Sequence, residues 1–156
     1  MRWIVLALLL VHGVVHLVGF AKAFAYADLP QLTAPISRGM GLIWLAAGLL
    51  VSVTALMLTA WPRQAWIVGA VAVVVSQGVI VTAWRDAWAG TVGTALLCLV
   101  VSDGFLTRGP WSFRAEFDRD AAAWPARARA APPVTESDIG RLPAPVRRYL
   151  RAAGAR

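Results

Sequence analysis

The sequence predicts an all-α protein: a four-helix transmembrane bundle, arranged up-down-up-down, with short amphipathic helices in a basic C-terminal tail. Hydrophobic residues make up 59% of the 156 residues and charged residues 15%, so the chain carries more apolar surface than a soluble domain of this length can bury. The apolar residues form four runs of about 18 to 21 residues, the length that a helix needs to cross about 30 Å of hydrocarbon. The joints between the runs are short, which favours antiparallel neighbours.

The four runs predict helices at about residues 3–24, 40–60, 65–84 and 88–106, which together form a transmembrane domain over residues 1–106. Pro30 and Pro35 break the first joint, Pro62 lies in the tight second joint, and Arg85-Asp86 interrupts the third. Backbone groups in lipid need partners within their own segment, so a helix is the expected form of each run. Period-two alternation, typical of a barrel, is missing from the sequence.

Aromatic and basic residues predict how the bundle lies in a membrane. Two belts are expected at the headgroups, one of Trp3, Trp61, Trp66 and Trp111, the other of Tyr26, Trp84 and Trp88, with Trp44 slightly inside it. Arg2, Arg63 and the ten arginines that follow Leu106 lie on the side of the termini, while Lys22, Arg38 and Arg85 lie on the other. The positive-inside rule then predicts a multi-pass protein with both termini in the cytoplasm.

The first run also fits a second interpretation, a cleavable signal peptide. Arg2 precedes the apolar stretch, and Ala25-Tyr26-Ala27 resembles a cleavage site. The run is interrupted by His12 and His16, which favours a retained helix, but both alternatives stay open.

The tail, residues 107–156, is basic and contains two predicted helices. Ser112 caps a juxtamembrane helix at about 112–123, which Pro125 ends, and residues 126–133 form a linker. Thr135 and Asp138 form a weak capping signal, and a last helix covers about 145–153. The net charge of +7 is concentrated here, which makes anionic lipid headgroups possible partners of the tail. No reading module accompanies the arginines, so nucleic acid is not expected as a partner.

Histidines mark the candidate intramembrane site. His12 and His16 are four residues apart and therefore share one face of the first helix. Counting 1.5 Å per residue along each predicted helix brings Ser76, Gln77 and Thr94 to a similar depth, with His12, His16 and Gln77 at the centre of the layer. Such a layer either fixes the helix register or forms a ligand, quinone, proton or metal site. His12 and His16 are only weak candidates for metal ligands, because no carboxylate is expected at their depth. Bis-His haem within a monomer is excluded, because it needs a histidine on a second helix and the sequence has no third histidine.

Charged residues form a second candidate site at the outer rim. Lys22, Arg38, Arg85 and Asp86 are expected at similar height, either as ion pairs that lock the first helix or as a site for an anionic or phenolic ligand. At the other end, Asp103 lies one turn from Leu106 and is expected to reach Arg108 or Arg63.

Three stretches resemble one family. They are HGVVHLVGFAKAF from His12 to Phe24, Ser76-Gln77, and WRDAWAGT from Trp84 to Thr91. The resemblance is to DoxX-like four-helix membrane proteins of bacteria, whose function is uncharacterised, and it implies a bacterial inner-membrane location. Residues 142–154 resemble the opening of the soluble domain that follows in some members, which suggests a fragment or a short form.

These observations leave three hypotheses for function. The first is a non-enzymatic membrane anchor or assembly module, which predicts a filled bundle. The second is a small-molecule, quinone or metal-binding redox module that uses the His12, His16 and Gln77 layer and needs a cavity that reaches His16. The third is a subunit of a small transporter or channel, which four spans would form only as a homo-oligomer. No Walker loop, dinucleotide fingerprint or nucleophile elbow is present, so no catalytic residue is predicted and the balance leans against an enzyme.

Overall fold

The structure is a computed structural model that describes residues 2–130 and 135–154, with the backbone alone for residues 125–130. The described residues form eight α-helices and no strand, which confirms the all-α class. In chain order the helices are α1 Arg2–Ala23, α2 Arg38–Ala60, α3 Ala65–Thr82, α4 Trp84–Ala87, α5 Gly90–Arg108, α6 Phe113–Ala130, α7 Glu136–Gly140 and α8 Ala144–Ala152. The chain divides into two compact units, Met1–Glu116 and Phe117–Arg156, so the first unit extends past the predicted boundary at residue 106.

Four helices of the described chain, α1, α2, α3 and the one that begins at Gly90, are long and apolar enough to cross a membrane. Large apolar side chains cover their outer faces: Val11 is 61% exposed, Leu49 55%, Val74 73% and Leu99 69%. An apolar surface of this extent requires a partner other than water. Length and composition therefore indicate a multi-pass membrane protein.

The long helices pack in a ring, α1 on α2, α2 on α3 and α3 on α5, closed by a smaller contact between α1 and α5. Arg2 at the start of α1 donates from Nη2 to the carbonyl oxygen of Leu58, near the end of α2, at 3.2 Å. Gly104 near the end of α5 lies against Trp66 at the start of α3. In both contacts the start of one helix lies against the end of its neighbour.

Small residues let the first two helices approach closely. A Cβ on Gly48 would lie 2.7 Å from the carbonyl oxygen of Gly13, so the α1 and α2 backbones are nearly in contact at this level. Close backbone approach is a main source of helix association in lipid, where burying apolar surface provides no driving force between helices. The buried core around this crossing consists of Leu9, Val51, Ala55, Ala72 and Leu97.

Local signals determine where α1 ends and α2 begins. Ala25 has a φ of 56°, and the N–H of Tyr26 donates to the carbonyl oxygen of Ala21 at 2.9 Å. This is a Schellman C-cap, and Tyr26 completes it by packing its ring 5.8 Å from that of Phe20. Ser37 caps α2 by accepting from the N–H of Met40 at 3.2 Å.

The helix that begins in the first unit at Phe113 is longer than predicted. Ser112 caps it as expected, accepting from the N–H of Ala115 at 3.2 Å. The prediction that Pro125 ends this helix is wrong, because α6 continues to Ala130. A proline inside a helix costs about 3 kcal/mol, but alanine, the best helix former, dominates the flanking residues and offsets part of that cost. The linker predicted at residues 126–133 is wrong for residues 126–130, which belong to α6, and residues 131–133 lie outside the described residues.

The second unit contains a short helical pair, α7 and α8. Thr135 and Asp138 form the predicted capping box, with the N–H of Thr135 donating to Oδ2 of Asp138 at 2.9 Å. Nη1 of Arg147 donates to the carbonyl oxygen of Gly140 at 3.1 Å. Arg151 forms an ion pair with Glu136. These contacts join the two helices through exposed polar groups.

Candidate functional site

Ser76 lies at the centre of a buried polar layer that joins α1, α3 and α5. Its Oγ is 2.9 Å from Nε2 of His16, 3.2 Å from Nε2 of His12 and 2.8 Å from Oγ1 of Thr94. Oγ1 of Thr94 also lies 3.4 Å from Nε2 of His12. All four side chains are buried. The structure therefore brings four of the five predicted residues of the intramembrane site into one cluster, which we call the Ser76 layer.

The tautomer of His16 depends on which partner receives the hydroxyl proton of Ser76. A serine hydroxyl has one proton and two lone pairs, so Ser76 donates to one of its three partners and accepts from the other two. If Ser76 donates to Nε2 of His16, the proton of that imidazole is on Nδ1. If Ser76 donates to another partner, Nε2 of His16 carries the proton and Nδ1 is an acceptor. Nδ1 of a neutral His16 is therefore a hydrogen-bonding group in both cases.

Two buried ring nitrogens of the described chain have no hydrogen-bond partner, Nδ1 of His16 and Nε1 of Trp44. The two rings are neighbours, with centroids 5.4 Å apart, and the residues are only 1% and 3% exposed. A buried polar group without a partner costs about 1–3 kcal/mol. Two such groups side by side mark this part of the core as incomplete in hydrogen bonding.

A cavity of about 380 Å³ borders both unpartnered residues. We call it the histidine cavity. It lies between α1, the connection from α1 to α2, and the segment that joins α3 to α5. Its inner wall includes His12, His16 and Trp44, and Val15, Val18, Leu32 and Ile80 add apolar surface. Gln31 and Asp86 also line the cavity. Val15 and Val18 of α1 and Gln31 of the α1–α2 connection are exposed, so the cavity is open at the surface of the protein.

Gln77 does not take the central place that the sequence predicted for it. It is half-buried, and its Nε2 donates to Oγ1 of Thr91 at 3.3 Å, outside the Ser76 layer. Ser76 faces the core instead, because one residue along a helix turns the side chain by about 100°. Gln77 still ties α3 to α5, one turn of α5 away from Thr94.

Trp44 is a site residue that the sequence analysis did not include among the candidates. It was expected slightly inside the outer aromatic belt, and in the structure its side chain is buried in the core, against Gly19 of α1. A side chain on Gly19 would overlap the indole ring, so this glycine makes the space that Trp44 occupies. A tryptophan four residues before Gly48, on the face that meets α1, was the available signal.

The predicted ion-pair cluster at the outer rim takes a different form. Asp86 accepts from the N–H of Ala34 at 3.0 Å and from both the N–H and the hydroxyl of Thr33. The amide of Ala34, followed by the hydroxyl and amide of Thr33, holds the pKa of Asp86 below its usual range, and the charge of Lys22 adds a smaller effect. Backbone donors in a connecting loop are already positioned, whereas an ion pair must order a long side chain. Asp86 therefore fastens the α1–α2 connection beside the histidine cavity.

The other predicted rim residues do not join Asp86 in an ion pair anywhere in the described chain. The guanidinium of Arg38 lies 6.0 Å from the ring centroid of Phe24, a cation–π contact between α2 and the end of α1. Arg85 is exposed, and Lys22 is half-buried. At the other end of the bundle, Asp103 reaches Arg108, one of its two predicted partners, at 4.0 Å.

The side chains of the Ser76 layer form a poor set of metal ligands. Nε2 of both His12 and His16 faces Ser76, and the described residues contain no group of three histidine, cysteine or acidic side chains that could hold an ion. Cys98, at a similar depth, is exposed on the outer face of α5. The chemistry that the site offers is hydrogen bonding to a molecule in the histidine cavity.

Comparison with known proteins adds no relative: no protein family, curated protein or solved structure matches this chain.

Proposed function

We propose that this protein is an up-down-up-down, multi-pass membrane protein of the DoxX-like kind that binds a small lipophilic molecule in the histidine cavity. The observation that carries the proposal is the pair of unpartnered nitrogens, His16 Nδ1 and Trp44 Nε1, on two residues that line an open cavity. A molecule with a polar oxygen at one end supplies the missing partner.

The donor set defines the class of molecule. An indole N–H only donates, so the ligand needs an acceptor oxygen for Trp44. Nδ1 of His16 donates to a carbonyl oxygen when it carries the proton, and accepts from a hydroxyl in the other tautomer. Apolar side chains form much of the remaining wall, and the volume of about 380 Å³ is within the range of small-molecule sites. A carbonyl-bearing ring compound such as a quinone fits these requirements. Both nitrogens are closed to solvent, so the proposed binding requires the two rings to rotate toward the ligand.

The same features favour one of the hypotheses for function. A pure anchor needs a filled bundle and gains nothing from two unpartnered nitrogens beside a cavity, each of which lowers stability. The cavity that the binding hypothesis requires is present at His16. We therefore favour binding over anchoring, and we assign no reaction to the site. The membrane is proposed to be the bacterial inner membrane, with both termini cytoplasmic, because basic residues are concentrated at that end.

Substitution of Trp44 tests the proposal. Trp44→Phe keeps an aromatic ring and removes the N–H, and Trp88→Phe, on an exposed residue outside the cavity, is the matched control. The purified protein should be stabilised against heat by a short-chain benzoquinone, and Trp44→Phe should weaken that binding about fivefold, as expected for one hydrogen bond. Trp88→Phe should bind like the wild type. If the quinone stabilises none of the three proteins, and organic extraction of the wild type releases no bound molecule, the proposed function is wrong.

A further inference from the structure

A second cavity lies at the opposite end of the bundle from the histidine cavity. Its volume is about 370 Å³, and its walls come from the start of α1, the end of α2 and the end of α5. The residues that line it include Arg2, Val5, Leu6, Leu58, Asp103 and Arg108. All belong to the first compact unit. We call it the arginine cavity.

The arginine cavity has a net positive charge that the contacts among its own residues do not neutralise. Two guanidinium groups and one carboxylate line it, for a net charge of +1. Arg2 donates to the carbonyl oxygen of Leu58 at 3.2 Å, and Arg108 is 4.0 Å from Asp103, with both side chains of that pair well exposed. A guanidinium has five N–H donors, so each arginine keeps donors for another partner. Planar arrays of such donors match phosphate oxygens.

Apolar residues next to the arginines indicate what carries the phosphate. Val5, Leu6 and Leu58 form an apolar wall beside Arg2, which a free phosphate ion would leave unused. A phospholipid uses both parts, since its headgroup meets the arginines while its acyl chains lie along the apolar wall. Basic pockets between transmembrane helices bind anionic headgroups in this way.

The depth of the cavity agrees with this ligand. Arg2 immediately precedes the apolar run of α1, and the next residue, Trp3, is 71% exposed, as expected for a ring in the headgroup region. The arginine cavity therefore lies where lipid phosphates lie. We propose that it binds the phosphate of an anionic phospholipid. This inference is independent of the function proposed for the histidine cavity.

Lipid binding to charge variants tests the inference. The full-length protein is delipidated in detergent, and its binding of phosphatidylglycerol and of phosphatidylcholine with the same acyl chains is measured by native mass spectrometry. The wild type should prefer phosphatidylglycerol. Arg2→Gln and Arg108→Gln should each weaken that binding about tenfold, as expected for loss of a charged hydrogen bond. Arg63→Gln removes the same charge from an exposed residue at the same end of the bundle, outside the cavity, and should have no effect.

A second substitution should have the opposite effect, which a variant that merely failed to fold could not show. Asp103→Asn raises the charge of the cavity from +1 to +2 and should tighten phosphatidylglycerol binding. The inference is overturned if the wild type binds both lipids equally, or if Arg2→Gln and Arg108→Gln behave like Arg63→Gln. It is also overturned if inorganic phosphate displaces the lipid at equal concentration, because the apolar wall would then contribute nothing.

Discussion

Replacing Ser76 by alanine should destabilise the bundle more than any other removal of a single hydroxyl group. The hydroxyl is within 3.2 Å of polar atoms of His12, His16 and Thr94, all buried. Hydrogen bonds between helices in a membrane are worth about 0.6–1.7 kcal/mol each. Loss of three such contacts predicts a decrease of about 2–5 kcal/mol in the free energy of unfolding. Thr94 and His12, 3.4 Å apart, can recover a small part of it.

Gln77→Ala is the matched comparison, because Gln77 is the adjacent polar residue of the same helix. It makes one contact, to Thr91 at 3.3 Å, and is half-buried. Its removal should cost less than about 1 kcal/mol. Unfolding of the purified protein in mixed micelles with increasing sodium dodecyl sulfate, followed by circular dichroism, measures both variants against the wild type.

The relative cost of these two variants is the decisive result. The structure places Ser76 at the centre of the layer, whereas the sequence pattern alone placed Gln77 there. A larger loss of stability from Gln77→Ala than from Ser76→Ala would mean that α3 is rotated by about one residue from its orientation in the structure. The assignment of the polar layer, and of the cavity beside it, would then be refuted.

Two further changes probe the surroundings of the site. Gly93→Ala places a methyl group against the ring of His12 and should lower the free energy of unfolding by about 1–3 kcal/mol in the same assay. Gly78→Ala, with open space around it, should be neutral or slightly stabilising. Equal effects of the two substitutions would contradict the packing of α5 against His12. The pKa of Asp86 is lowered in the folded state, chiefly by the amide of Ala34, so the stability that it contributes is present above the unfolded-state pKa and is lost as the pH falls through the lower folded-state value. In Asp86→Asn this acid-dependent loss of stability should disappear, so the thermal midpoint should fall less at acidic pH than that of the wild type. An unchanged pH profile would show that the carboxylate does not hold the α1–α2 connection.

Tertiary structure decided which side chain of each helix faces the site. Depth could be counted along the chain, so Ser76 and Thr94 were placed at the level of the histidines in advance. Rotation could not be counted, because α3 is apolar around its whole circumference and no polar face indicates which side is buried. The choice between Ser76 and Gln77 therefore depended on packing. The burial of Trp44 followed from the space at Gly19, a feature of another helix.

The sequence by itself determined the helices and the membrane-compatible character of the bundle. Each apolar run needs its backbone satisfied locally in a medium without water, so length and hydropathy were enough to place α1, α2, α3 and α5 within about two residues. The partners of Asp86, the unpartnered nitrogens of His16 and Trp44, and the two cavities came only from the tertiary structure. They arise where segments distant in the chain meet, and no local periodicity records how those segments rotate or how a connecting loop folds.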